Sequence, residues 1–291
     1  MAVGYHEQVE ALLGRMRSHP AAKADLYDLD QIARDLLPCL RMSPGAEDRP
    51  GSTRLGGDPD LRPGTPWPRS PDGRAMHFVG QLDFADCPPL PEPAAGVLPE
   101  AGTLSVFETF HGGSTLAWTP DTAGEWWWTL LPPETPLERV RSPPELLDPG
   151  PYAPVCYTLE VGVSVGSLDH AELVNHLDMD QRTFRKKLDF MSFESEPQPH
   201  HQVLGNAESI ADYGVPYRQT GDHVFDIPAW ERLWGAVPET AGDWTCVWTI
   251  DSNHESGMSF SDWGKLRVCT PTEDLVRGDF RRTVVIWTDV G

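Results

Sequence analysis

Two short stretches of the chain echo each other. FVGQLD (78–83) and CVWTID (246–251) set Val79 over Val247, Leu82 over Ile250 and Asp83 over Asp251. Downstream, GTLSV (102–106) falls in step with GKLRV (264–268), sharing Gly, Leu and Val. The matches recur in the same order, which points to an internal duplication of a strand–loop–strand unit. Any fold for this chain must then seat two like β units. Duplicated strands commonly pair about a pseudo-twofold axis, so Asp83 and Asp251 are expected to approach a shared centre.

The rest of the chain fits around those units. Helical spacing of Val9, Leu12, Leu13 and Met16 predicts a helix over about 5–18. A second helix, 25–37, carries Leu29, Ile32, Leu36 and Leu37 and is stopped by Pro38. Glycine and proline dominate from Ser43 to Pro71 and force irregular backbone there. Strand-like runs follow at about 76–83 and 103–110, then STLAWT, EWWWTLL and VCYTLEVGV. Helical patterns return at LDHAELVNHL and DQRTFRKKLDFM, and the last fifty residues read as strand, polar loop, strand, short helix, strand. Strands mostly joined without helices predict an α+β fold with mixed, mostly antiparallel sheets and helices at the N-terminus and middle. The expected organisation is a helical segment, 1–50, packed on a single α+β domain, 51–291.

Charge narrows the partners. Against 23 Lys and Arg stand 44 Asp and Glu, a net −21. Such a balance repels phosphate backbones and anionic lipid, which argues against nucleic acid and membrane. No stretch is long and apolar enough to span a bilayer and no signal-peptide core opens the chain, so a cytoplasmic protein is expected. The five cysteines are scattered without a C-x-x-C pair, which supports neither a zinc ribbon nor a redox motif. Cys246 and Cys269 fall inside predicted strands.

Several motifs, taken in order, resemble one family. STRLGGDPDLRPGTPWP carries Arg54, Gly56, Gly57, Pro59, Trp67 and Pro68 in the opening pattern of the YwqG-like family, a bacterial domain of unknown function. FVGQLDF and GTLSVFE are similar to its next two strands, and HHQVLGNAESI to its His-x-Leu-Leu-Gly segment, through His201, Leu204 and Gly205. VWTIDSN and DWGKLRV resemble its last two elements. The chain departs at Thr249, where the family has a second Gln, and at Asn253 and Lys265, where it has acids. A metal or acid–base pair resting on those positions would be partly lost here. The resemblance implies an α+β protein with no settled activity. Relatives encoded near secreted toxins point to an immunity-like or partner-binding role.

Candidate chemistry starts with Asp83 and Asp251. Adjacent carboxylates would raise one another's pKa and form an acid–base dyad; the alternative is that each caps the loop leaving its strand. His254 in DSNHESGMSFSDWG joins them as a catalytic candidate. That loop is rich in oxygen ligands but lacks the spacing of a calcium loop, no H-E-x-x-H occurs, and no metal or cofactor is expected. His200 and His201 are adjacent, so their side chains diverge. No nucleophile elbow or phosphate-cradling loop is present.

The aromatics suggest binding. Trp67, Trp126, Trp128 and Trp263, with Arg54 and Gln81, are the candidate partner-contacting residues, since Trp supplies large contact area at low entropic cost. Arg54 has a second reading, as an anchor pairing with the protein's own acids. The leading expectation is a binding protein presenting an acidic and aromatic surface to a basic protein partner. The alternative is a hydrolase-like enzyme using Asp83 and Asp251 in a central polar cleft.

Overall fold

The computed structural model of the chain describes residues 4–18, 33–34, 36–70, 73–108, 126–146, 150–164, 200–205, 244–253, 256–260, 264–281 and 283–288. Its strands are β1 (Leu37–Pro44), β2 (Arg54–Leu55), β3 (Asp60–Leu61), β4 (His77–Asp83), β5 (Thr103–Glu108), β6 (Trp126–Leu131), β7 (Glu138–Arg139), β8 (Val155–Ser164), β9 (Gln202–Leu204), β10 (Trp244–Asp251), β11 (Lys265–Pro271) and β12 (Val284–Thr288). Helices α1 (Tyr5–Ser18) and α2 (Thr272–Val276) accompany them. STLAWT and the two middle helical patterns lie outside the described residues.

Ten strands form one sheet in the order β12-β11-β10-β9-β1-β8-β2-β4-β5-β6. Every neighbouring pair in it is antiparallel. The fold is therefore α+β with the sheet dominant. Its order reads alike from both ends: β4 and β10 each lie third from an edge, flanked inward by a very short strand, and β8 and β1 meet in the middle. Both β4 and β10 carry a bulge, between Phe78 and Gly80 and between Cys246 and Trp248. An extra residue in one strand bends and twists it.

The sheet curls into a half-barrel. β4 and β10 stand five places apart, roughly 24 Å in a flat sheet at the usual strand spacing. Yet a Cβ added to Gly80 would lie 3.0 Å from Cη2 of Trp248. Only curvature brings the two strands within one indole's reach. The concave face holds the main core, including Leu40, Leu55, Leu82, Leu104, Val106, Trp248, Ile250, Leu266 and Val268, each buried to 1% exposure or less. Alternation puts these on one face because their neighbours in each strand point to the other.

That other face is not left to water in the β4–β5 half. A two-stranded sheet, β3 with β7, lies over it. Leu61, Met76, Phe78 and Phe107 are packed between, with Trp67 and Val140 against them. α1 covers a third patch: Leu12, Leu13 and Met16 pack with Val163 of β8, and Gln8 donates to the Val161 carbonyl at 3.0 Å.

One sequence expectation needs correction. Leu37 and Pro38 do not end a helix; they open β1, which pairs β8 along its whole length and β9 at Cys39, Leu40 and Arg41. Pro38 sits just outside the β9 ladder, so its missing N–H interrupts no bond on that side. Residues before 51 thus supply a central strand of the sheet as well as α1.

Candidate functional site

Gln81 and Arg54 face each other across the β4–β2 ladder. Both side chains point to the face covered by β3, and both are buried, at 0% and 1% exposure. A buried amide and a buried guanidinium need partners, because a desolvated polar group without one is costly. Asp60 supplies them. It opens β3 at 0% exposure, and its carboxylate receives Arg54 Nη2, Gln81 Nε2 at 2.9 Å, the Gly51 amide at 2.9 Å and Arg139 Nε at 3.0 Å. Gln81 also accepts the Asp60 amide at 2.9 Å and donates to the Ser52 carbonyl at 3.0 Å.

Arg139, from β7, carries the network to the surface. Its Nη1 and Nη2 grip both oxygens of Asp48, at 2.8 and 2.7 Å, and Arg54 Nη1 reaches Asp48 at 3.2 Å. The Arg139 hydrogen bonds hold the Asp48 carboxyl below the ordinary range. At Asp60 burial pushes the pKa up, but hydrogen bonds from Arg139 and Gly51 and the Arg54 charge win, leaving it lowered. Two arginines and two aspartates therefore fasten the irregular 45–62 segment and β7 onto the sheet. Arg54 serves as an internal anchor.

Asp83 stands at the end of β4, half-buried. Its Oδ1 accepts the Ala85 amide at 3.0 Å and caps the short 3₁₀ turn Phe84–Asp86. Burial, then the Asp86 charge, raises its pKa, while the Ala85 bond and Arg49 oppose. The cap sets a test: Asp83→Asn, which keeps an acceptor, will be near neutral in stability, and Asp83→Ala will cost about 0.5–2 kcal/mol by the usual worth of such caps. Urea unfolding of the two variants checks it; equal loss in both would deny the cap.

Asp251 occupies the matching end of β10 and is buried. Its Oδ2 accepts the His200 amide at 3.1 Å, and its own amide donates to His201 Nδ1 at 3.0 Å. Burial raises its pKa against the pull of Lys265. His201 is pushed down to about 3, first by burial, and is neutral. Because Nδ1 accepts, the proton sits on Nε2, which has no hydrogen-bond partner among the described residues. The ring stands edge-on to Tyr157, with centroids 5.3 Å apart.

The two carboxylates do not form a dyad. Four strands, β2, β8, β1 and β9, separate β4 from β10. Each acid also answers to its own neighbours: Asp86 and Arg49 at Asp83, Lys265 and His200 at Asp251. The expectation failed because the sheet pairs its halves through β1 and β8, which keeps β4 and β10 apart at their ends.

In the loop after Asp251, the described Ser252 and Asn253 bond within the loop. Ser252 donates to the Gly264 carbonyl at 2.8 Å and accepts the Phe260 amide at 2.9 Å, while Asn253 Oδ1 accepts the Ser256 amide at 3.2 Å. His254 and Trp263 lie outside the described residues, as do the side chains of Trp126 and Trp128. Trp67 turns inward: its Nε1 donates to the Met76 carbonyl at 2.8 Å and its ring meets Phe107 edge-on.

Gly56, Gly57, Arg54, Gln81 and Asp251 thus occupy positions with structural demands that a shared sequence pattern would record. A Cβ on Gly56, for instance, would sit 2.4 Å from the Ala153 carbonyl oxygen, at a φ of +66°. The pattern of a domain of unknown function, DUF1963, matches residues 53–288. The chain belongs to that family. This DUF1963 match begins beside Arg54 and ends with β12, so α1 and the central strand β1 lie outside it. No curated protein matches the chain. Asp60, Asp48 and Arg139 were missed by sequence reasoning; the two-residue strands that hold Asp60 and Arg139 are too short to show a period.

Proposed function

We propose that this DUF1963 protein is a non-enzymatic binding protein, immunity-like in kind, that presents an acidic surface with aromatic anchors to a basic protein partner. One observation carries the reading: among the described residues, the acids Asp60 and Asp83 are engaged in holding the fold. Asp60 is saturated by Arg54, Gln81 and Arg139, and Asp83 caps a turn. What the protein offers outward is charge. Glu47, Glu134 and Glu138 are exposed, interspersed near β7 with the exposed Arg62, Arg139 and Arg141, in a chain of net −21. Such a field steers encounter with a cationic partner and is screened by salt.

The test is a capture from the native host, followed by binding of the purified pair at low and high ionic strength. Affinity should fall steeply with salt and fall further in Glu134→Lys/Glu138→Lys. Binding indifferent to both, or turnover of a small molecule that Asp251→Asn abolishes, overturns the proposal. The second outcome would favour the hydrolase alternative, which draws on Asp251 alone: a buried carboxyl of raised pKa beside a neutral, buried imidazole.

We also infer that the two halves of the sheet descend from one duplicated unit. In support, the register pairs Gln81 with Ser105 and Thr249 with Arg267, as the sequence echo requires. Both bulges fall opposite the same echoed valine, Val106 or Val268. The segments Arg54–Gly57 and Gln202–Gly205 each follow their pairing with two residues of positive φ, +66° and +72° against +57° and +82°.

A further inference from the structure

Beside the bulge of β10, Cys246 faces Cys269 of β11 directly across the ladder. Both are free, and both are buried, at 5% and 0% exposure. Opposed residues of antiparallel strands have Cα atoms about 4.5–5.5 Å apart. A disulfide spans about 4.4–6.8 Å, so the spacing of a directly opposed pair admits a bridge between them. Cys246 Sγ also lies 3.4 Å from Thr249 Oγ1 and 3.7 Å from the Trp248 carbonyl.

The other half of the sheet supplies a comparison. At the same place beside the β4 bulge, Phe78 faces Phe107, their rings 5.2 Å apart. Packing at this position is thus met by hydrocarbon, and two thiols bring chemistry that packing does not ask for. A cation completes the setting. Arg267, two residues before Cys269 and on the same face, is buried at 4% exposure.

We propose that Cys246 and Cys269 form a redox-active dithiol that closes to a cross-strand disulfide when the protein meets a small peroxide. Cys246 is the attacking sulfur: it keeps 5% exposure against 0% for Cys269, and the Thr249 hydroxyl, 3.4 Å from its Sγ, can donate to the thiolate; the hydrogen bond from Cys269 and the Arg267 charge favour the same sulfur. The Cys246 thiolate attacks one peroxide oxygen, the O–O bond breaks, and the released hydroxide takes a proton and leaves as water. Cys246 is now a sulfenic acid. The Cys269 thiol attacks that sulfur, the S–OH bond breaks, and a second water departs. Two thiols are oxidised by two electrons and one peroxide is reduced to two waters. Burial selects the oxidant: bulky disulfides are kept from both sulfurs, and Cys246, at 5% exposure against 0% for Cys269, is the one that a small peroxide meets first.

The full-length protein should be treated with dilute hydrogen peroxide, unfolded in an alkylating agent and mapped by mass spectrometry. The expected result is a Cys246–Cys269 linked peptide, released by dithiothreitol, with Cys39, Cys87 and Cys156 alkylated. In Cys269→Ala the reaction should stop at a Cys246 sulfenic acid that dimedone traps when the treated protein is unfolded in its presence; in Cys246→Ala no trap should form at Cys269. The wild-type map decides the matter even where a variant folds poorly. Complete alkylation of Cys246 and Cys269 after peroxide overturns the proposal, as does a first disulfide that involves any of the other three.

Discussion

Asp60→Ala will cost the protein about 3–5 kcal/mol, the usual loss when one partner of a buried ion pair is removed. The reason lies in what stays behind. Arg54, a guanidinium at 1% exposure, would keep, among the described residues, Asp48, which is half exposed. Its Nε already has no hydrogen-bond partner among the described residues, so the group has little reserve. Gln81 would lose its bond to the Asp60 carboxylate and hold β3 through the backbone amide of residue 60 alone. Asp60→Asn keeps the shape but not the charge, and should recover part of the loss.

Acid supplies an independent reading of the same network. The Asp60 pKa is lowered by folding, so the stabilisation it contributes is full above the unfolded carboxylate value, about 3.9, and drains away as pH falls towards the lower folded value. Thermal or urea unfolding of wild type and Asp60→Asn, from pH 6 to pH 3, should therefore show a gap that narrows at the acid end. A gap that stays constant with pH would mean the carboxylate charge contributes nothing, and the anchor account would fail.

That network also marks the limit of what the sequence discloses. Strand alternation in FVGQLD and CVWTID, and their shared downstream Gly-x-Leu-x-Val, were enough to place β4, β5, β10 and β11 as strands; the bulges in β4 and β10 were not legible. Gln81 stood out because a polar residue sat mid-strand among apolar ones. Its partner did not. Asp60 belongs to a two-residue strand in a glycine- and proline-rich segment, and Arg139 to another in a proline-laden one; only three-dimensional closure brings them together. β1 misled for a different reason: Leu36 and Leu37 continue a helical spacing, and local pattern cannot reveal that β8 and β9 are waiting on either side. Asp83 and Asp251 matched in sequence and in position within their strands, yet the sheet order separates them.

Trp248→Ala should be as damaging, about 3–5 kcal/mol for an excised core tryptophan. Trp248 is fully buried; its Nε1 donates to Met42 Sδ of β1 at 3.2 Å and its far edge abuts Gly80 of β4. One side chain thus fills the inside of the curl from β10 across to β4. Gly80 is the other half of that fit. A Cβ there would come within 2.5 Å of Leu55 Cδ2, 2.7 Å of the Arg54 carbonyl oxygen and 3.0 Å of the indole. The leucine tip can move, but the carbonyl belongs to a residue held by the ladder and by Asp60, so Gly80→Ala should cost about 1–3 kcal/mol as overpacking. Shrinking the indole removes one of the three collisions. In a double-mutant cycle, Trp248→Leu with Gly80→Ala should therefore be less destabilised than the sum of the singles, by at least ~0.5 kcal/mol. Strict additivity would mean the indole does not bridge the curl. On the inferred duplication Gly80 and Trp248 are counterparts, and the sizes make sense only as a pair: two tryptophans would collide at the centre, and two glycines would leave it empty.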